Sequence, residues 1–276
     1  MLRLTHIRNS TLLLDFDGFV VLTDPWFLRT VAGLPAFAAP GLSLKQLPPV
    51  DLVAVSHFHP DHWAAASASE LARRNPGLRF VGPAGAEARF RRAGLQGEDM
   101  PAGSVRRFGP VDVTSVACEH AQAGPQQVNF VFRWQGRGVY FGGDSTLSEQ
   151  TTRCGQEHDV DLALLPVGDA RLCGCVQVMG PRDAVEAGRR LGARYSVPIH
   201  EGGLWPSLPP LYSSRGRASE FVQLSHRSRG APQAIHLRRG ERASFTVDES
   251  MYLYGKEIVR GGQADRFRWL DRLVPA

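Results

Sequence analysis

The segment Ser56-His57-Phe58-His59-Pro60-Asp61-His62 constrains this chain more than any other. It puts three imidazoles and a carboxylate into six consecutive residues, directly after the apolar run Leu52 to Val55. Imidazole nitrogen and carboxylate oxygen are ligands for zinc and other transition metals, and the compression at Pro60 can turn these side chains toward a common centre. Four donors would crowd one ion, so His57 and His59 suit one metal and Asp61 and His62 a second. A solvated histidine tract is the bland alternative, but such a tract has no reason to follow a buried strand.

Three later positions share the same local grammar, a polar donor at the end of an apolar strand. His120 follows Val111 to Cys118, Asp144 follows Val139 to Gly143, and His200 follows Tyr195 to Ile199. Strands that each deliver one donor from their ends gather them at one edge of a sheet layer. Asp24, in Asp24-Pro25 at the end of an early strand, can orient a ligand histidine or can simply form a turn.

Elements with period 2 and period 3.6 are interspersed through both halves. Strands are expected at Leu2 to Ile7, Thr11 to Phe16, Val20 to Thr23, Asp51 to Ser56, Val111 to Cys118 and Val160 to Val167. Further strands are expected at Arg194 to Ile199, Ala234 to Leu237 and Ala243 to Val247, with a hairpin of Val128 to Trp134 and Val139 to Phe141. Helices are expected at Ala66 to Arg74, Ala84 to Arg92, Pro181 to Leu191 and Ala218 to Ser225. No Ser/Gly-rich linker divides the chain, so residues 1–276 read as one layered α/β domain, with 251–276 an extension whose place the pattern does not give.

The chain has 276 residues, 43% hydrophobic and 21% charged, which excludes a disordered or fibrous protein. A net charge of +5 raises the question of nucleic acid, but the arginines are scattered and do not form one basic block, so no nucleic-acid partner is expected. The early apolar run Leu12 to Leu14 is too short for a signal segment, and Gly33, Pro35, Pro40 and Gly41 break the uncharged stretch from Thr30 to Leu44. No membrane span and a cytoplasmic location are therefore expected. The four cysteines, Cys118, Cys154, Cys173 and Cys175, read as free thiols, although Cys173-Gly174-Cys175 could also be a redox pair or a metal clip. The Gly/Pro-rich loop from Phe27 to Leu47 reads equally as a substrate lid and as a plain connection.

The motif His57-Phe58-His59-Pro60-Asp61-His62, followed by His120, Asp144 and His200, resembles the metallo-β-lactamase-fold hydrolases in order and over most of the chain. Thr23-Asp24-Pro25-Trp26, Leu165 to Gly168, Met179 to Ala184 and Pro198-Ile199-His200 are similar to the branch containing ascorbate-6-phosphate lactonase-like enzymes. They resemble N-acylphosphatidylethanolamine phospholipase D more distantly. The resemblance implies a four-layer αββα sandwich with two divalent metal ions, Zn2+ or alternatively Mn2+ or Fe2+. It puts His57, His59 and His120 on the first metal, Asp61, His62 and His200 on the second, and Asp144 between them. Antibiotic hydrolysis is not implied, because true metallo-β-lactamases lack the bridging aspartate and the complete second site. The expected chemistry is attack by a metal-bridging hydroxide on a small ester, lactone or phosphodiester, with Asp61 orienting the nucleophile and accepting its proton. Alternatives are a phosphodiesterase for a lipid or nucleotide and a metal-binding sensor without turnover.

Overall fold

The computed structural model describes residues 1–120, 126–203, 211–248 and 250–259. Two large sheets face each other. In the first, strands run in the order Met251–Ile258, Glu241–Val247, Leu2–Arg8, Thr11–Phe16, Phe19–Thr23, Leu52–Ala54, Arg79–Gly82 and Gly97–Asp99. In the second the order is Gln233–Ala234, Tyr195–Ile199, Leu162–Pro166, Arg137–Phe141, Asn129–Trp134, Val111–Val116 and Val105–Phe108.

Successive side chains of each strand point to opposite faces, which explains the layers. Leu12, Leu14 and Phe16 join Phe130, Phe132 and Trp134 in the core between the sheets, while Leu13 faces the other way. That outer face of the first sheet is covered by helices Ala65–Arg74 and Ala86–Arg92 through Ala68, Leu71 and Phe90. The outer face of the second sheet, with Val131, Ala163 and Leu165, is covered through Cys154, Ala184 and Phe221. These belong to helices Glu149–Glu157, Pro181–Arg190 and Ala218–Arg227. The result is the expected αββα sandwich. Strands apolar on both faces read in sequence as nearly continuous hydrophobic runs, which is why they were legible.

Several boundaries differ from the sequence reading. The hairpin closes on the two residues Gln135 and Gly136, both with positive φ, because Trp134 pairs with Arg137. Leu237 lies outside the short strand Gln233–Ala234. Helix Glu149–Glu157 was not expected. Residues 251–258 form a strand on Glu241–Val247, whereas 260–276, the rest of the expected extension, lie outside the described residues.

The loop from Phe27 to Leu47 holds a small hairpin, Thr30–Val31 with Leu34–Pro35, and a 3-10 turn at Leu44–Gln46. Its stems are fixed: Arg8 Nη1 donates to the Leu28 carbonyl (2.8 Å), Trp26 Nε1 to that of Thr30 (3.1 Å), and Gly41 N to that of Ile7 (2.9 Å). Its tip exposes Leu34 and Phe37. Among the described residues no helix is long and apolar enough to cross a membrane.

All four cysteines are free. Cys173 and Cys175 are exposed on a hairpin, whereas burial pushes the Cys118 and Cys154 thiols up to about 12. Only a thiolate alkylates quickly. Iodoacetamide at pH 8 is therefore expected to label Cys173 and Cys175 in the native protein, and the other two only after unfolding, as peptide mass mapping would show.

Candidate metal centre

Parallel strand pairing brings the donors to one edge. Phe19–Thr23 runs parallel to Leu52–Ala54, and Arg137–Phe141, Leu162–Pro166 and Tyr195–Ile199 run parallel to one another. Asp24, His57, Asp144 and His200 thus leave the carboxyl ends of strands, where loops of open α/β sheets build sites. His57, Asp61 and His62 sit in a turn in which His62 N and Trp63 N both bond the His59 carbonyl. Phe58 and Trp63 pin that turn, with ring centroids 5.3 Å apart and both packed on Phe90. Gly143 has φ +49, and a Cβ there would sit 3.0 Å from Ser56 Cβ, so glycine lets the Asp144 loop close on the histidine turn.

All seven residues singled out by the sequence come together in two overlapping groups. His57, His59, His120 and Asp144 have donor atoms within 4.8 Å of one another, as do Asp61, His62, Asp144 and His200. In the first group His57 Nε2 lies 2.9 Å from His59 Nδ1, and His120 Nε2 lies 3.4 Å from the same atom. Asp144 belongs to both: Oδ2 faces His57 Nε2 at 3.8 Å, and Oδ1 faces His62 Nε2 at 2.9 Å and His200 Nε2 at 3.1 Å. Asp61 Oδ2 is 3.3 Å from His200 Nε2.

Asp24 resolves between its two readings by contact. Its carboxylate accepts from His62 Nδ1 (2.6 Å), Ser56 N (2.7 Å) and Ser56 Oγ (2.7 Å). With its proton committed to Asp24, the Ser56 hydroxyl accepts from His57 Nδ1 (3.0 Å). One buried carboxylate therefore orients two imidazoles so that each Nε2 faces the centre with a lone pair. His120 is fixed the same way by backbone, Nδ1 donating to the carbonyls of Asp144 and Gln177, each at 2.9 Å.

The electrostatics favour positive charge at the second group. Burial opposes ionisation of Asp144, but His200 and His62 outweigh it and hold its carboxyl well below the usual carboxylate range. Burial likewise opposes charge on His62, yet Asp144, Asp61 and Asp24 hold it well above its ordinary value. Burial holds the His57 imidazole well below its ordinary value and lowers that of His59, so the first group offers neutral nitrogens. Burial pushes the Asp24 carboxyl up against the charge of His62; three donors on its two oxygens mark it as the ionised acceptor.

These residues fit metal ions. His62 Nε2 and Asp144 Oδ1 are buried, face each other at 2.9 Å, and have no hydrogen-bond partner. With Nδ1 committed to Asp24, Nε2 can face that oxygen only as a protonated donor or through a cation bound by both atoms, and four nitrogen and oxygen donors in each group match transition-metal chemistry.

Sequence reasoning missed Asn9. Its Nδ2 donates to both the carbonyl (3.2 Å) and Oδ2 (3.3 Å) of Asp61, and its own carbonyl accepts from His200 N (3.2 Å). Asn9, Asp24 and His200 all have left-handed backbones, with φ of 49°, 38° and 48°, a concentration of strained residues that is typical of functional sites. Asn9→Ala is expected to lower metal affinity or kcat/KM about 10-fold or more through a misplaced Asp61. Isothermal titration of the metal-free protein would read it, and unchanged affinity and turnover would make Asn9 a turn residue only. The Arg8-Trp26 stack, 3.3 Å from guanidinium carbon to ring centroid, was also not anticipated. In the sequence Asn9 lies in Arg8-Asn9-Ser10 between two expected strands, a polar segment to which the sequence reading assigns no catalytic role.

The beta-lactamase superfamily domain matches residues 20–200, more than half the chain. A UPF0173 metal-dependent hydrolase of Opitutus terrae is 33% identical over 212 residues, covering 72% of this chain and 84% of its own length. The N-acyl-phosphatidylethanolamine-hydrolyzing phospholipase D 1 of Caenorhabditis elegans is 26% identical over 225 residues, covering 72% and 63% respectively. Among solved structures, Igni18, a metallo hydrolase from Ignicoccus hospitalis, superposes with a TM-score of 0.71 at 22% identity. That alignment covers 90% of this chain and 99% of Igni18, a likeness of fold. With its model match and its hydrolase relatives, the chain belongs to the beta-lactamase superfamily and is a metal-dependent hydrolase of the metallo-β-lactamase fold.

Proposed function

We propose that the chain is a binuclear hydrolase of a small ester, lactone or phosphodiester. The observation that carries this reading is Asp144, whose two carboxylate oxygens face two separate donor groups. His57, His59 and His120 would hold one divalent ion, Asp61, His62 and His200 the other, and Asp144 would serve both. Zinc suits the imidazole-rich first group; manganese or iron suits the mixed second one. Once bound, such a pair supplies Lewis acidity toward a carbonyl or phosphoryl oxygen and lowers the pKa of water toward about 7.

The chain's own residues supply the rest. Asp61, held by Asn9, keeps an acceptor oxygen in the site for the proton released during attack on the substrate. The Asp24-Ser56 network keeps His57 and His62 in the tautomers that face the centre. The loop anchored at Trp26 and Leu28 is the segment we assign to the lid, and its exposed Leu34 and Phe37 suit an apolar part of the substrate. The phospholipase D relative favours a lipid phosphodiester as the second reading.

The test is a panel of chromogenic esters, lactones and phosphodiesters, assayed with added zinc, manganese and iron. Metal-dependent turnover of one class, lost in Asp61→Asn with the circular dichroism spectrum retained, is expected. Metal uptake without any turnover would point to the sensor alternative, and turnover that survives Asp61→Asn would remove Asp61 from the mechanism.

A further inference from the structure

Asn9 separates the metal centre from a second concave feature. A cavity of about 250 Å³ is lined by His6, Asn9, Glu201, His236, Arg238 and Arg239, among others, and by none of the seven residues of the two donor groups. Three of its neighbours meet at Asn9: His6 Nε2 lies 3.3 Å from the Asn9 carbonyl, His200 N donates to that carbonyl, and Asn9 Nδ2 reaches Asp61.

The charges around this cavity do not balance. Arg79, Arg106, Arg153 and Arg190 each lie within reach of a carboxylate. Arg238 and Arg239 have exposed side chains and, among the described residues, no carboxylate within 4.0 Å. Two acids are nearby, and both are engaged. Glu201 Oε1 accepts from Ala218 N (3.1 Å) at the start of helix Ala218–Arg227, and Glu241 Oε2 accepts from Arg238 N (2.9 Å) and lies 3.7 Å from Lys256 Nζ. The positive end of that helix, through Ala218, also lines the cavity. Arg8, buried and outside the cavity lining, leaves Nε and Nη2 without hydrogen-bond partners, and burial with the Arg239 charge brings its pKa down to about 10 against the opposing charge of Asp61. Two exposed guanidinium groups that line one cavity without a carboxylate partner gain from an oxyanion that accepts from both, against the Glu201 charge in the same lining.

We propose that this cavity is a binding site for a small phosphate-type oxyanion, separate from the metal centre and sharing the Asn9 wall with it. Arg238 and Arg239 supply the fork-shaped donors, His236 a further polar contact, and the cavity holds a single phosphate-sized group with room for a small substituent. Occupancy would bear on Asp61 and His200 through Asn9, which is hydrogen-bonded to both.

The experiment titrates inorganic phosphate into the metal-loaded protein by isothermal calorimetry. The variants are Arg238→Ala/Arg239→Ala and a control, Arg92→Ala/Arg227→Ala, which removes the same charge from two exposed helix positions. Metal content is measured in each. Binding at about 1 mM or tighter in the parent is expected, weakened at least fivefold in Arg238→Ala/Arg239→Ala and unchanged in the control, at constant metal content. Three results overturn the proposal. They are no phosphate binding in the parent, an unchanged affinity in Arg238→Ala/Arg239→Ala that would put phosphate on the metals, and an equal loss in the control that would reduce the effect to net charge.

Discussion

Asp144→Ala is expected to lower kcat/KM at least about 1,000-fold on whichever substrate the parent hydrolyses, which corresponds to about 4 kcal/mol of lost transition-state stabilisation. The effect is large because one side chain serves both donor groups. Removing it strips an oxygen from the His57 side and another from the His62 and His200 side. Bound metal should fall together with activity. The fold should survive, since Asp144 lies in a loop after Arg137–Phe141 and contributes nothing to the apolar layers. A variant that kept its metal and turned over within fivefold of the parent would show that the shared carboxylate is not central.

The second large effect is expected at Asp24. Asp24→Asn keeps the size of the side chain and, because asparagine also tolerates a left-handed backbone, keeps the turn at φ 38°. It replaces one accepting oxygen with a donor, so the amide cannot accept from both His62 Nδ1 and the two Ser56 donors. Either His62 loses the bond that directs Nε2 to the centre or Ser56 N faces an amide N–H, and in both orientations a buried donor is left unmet. Metal affinity should fall about 10- to 100-fold and unfolding free energy by about 1 to 3 kcal/mol, read by metal titration and urea denaturation. If Asp24 were only a turn residue, neither quantity would move.

The candidate metal donors were legible in the sequence because each is a chemically marked side chain at or just beyond the end of an apolar strand, and the strands were legible because both their faces are buried. What escaped was of three physical kinds. Asn9 and Ser56 carry side chains as common in turns as in sites, so only their contacts with Asp61 and Asp24 separate the two roles. Gln177 acts through its backbone carbonyl on His120, which no residue type announces. Helix Glu149–Glu157 has threonines and a glycine in its interior and buries only Thr151 and Cys154, so neither propensity nor periodicity marks it. Strand Met251–Ile258 alternates half-buried and exposed residues beyond the buried Met251 as it lies on Glu241–Val247, and its exposed tyrosines and charges hid that pattern.

The most direct measurement is metal per chain by elemental analysis, on protein purified without chelators and again after incubation with zinc, manganese or iron. Two overlapping donor groups that share Asp144 lead to a value near two, falling in Asp144→Ala. A value near zero with no uptake of any of the three metals would contradict the binuclear centre and the hydrolytic chemistry built on it.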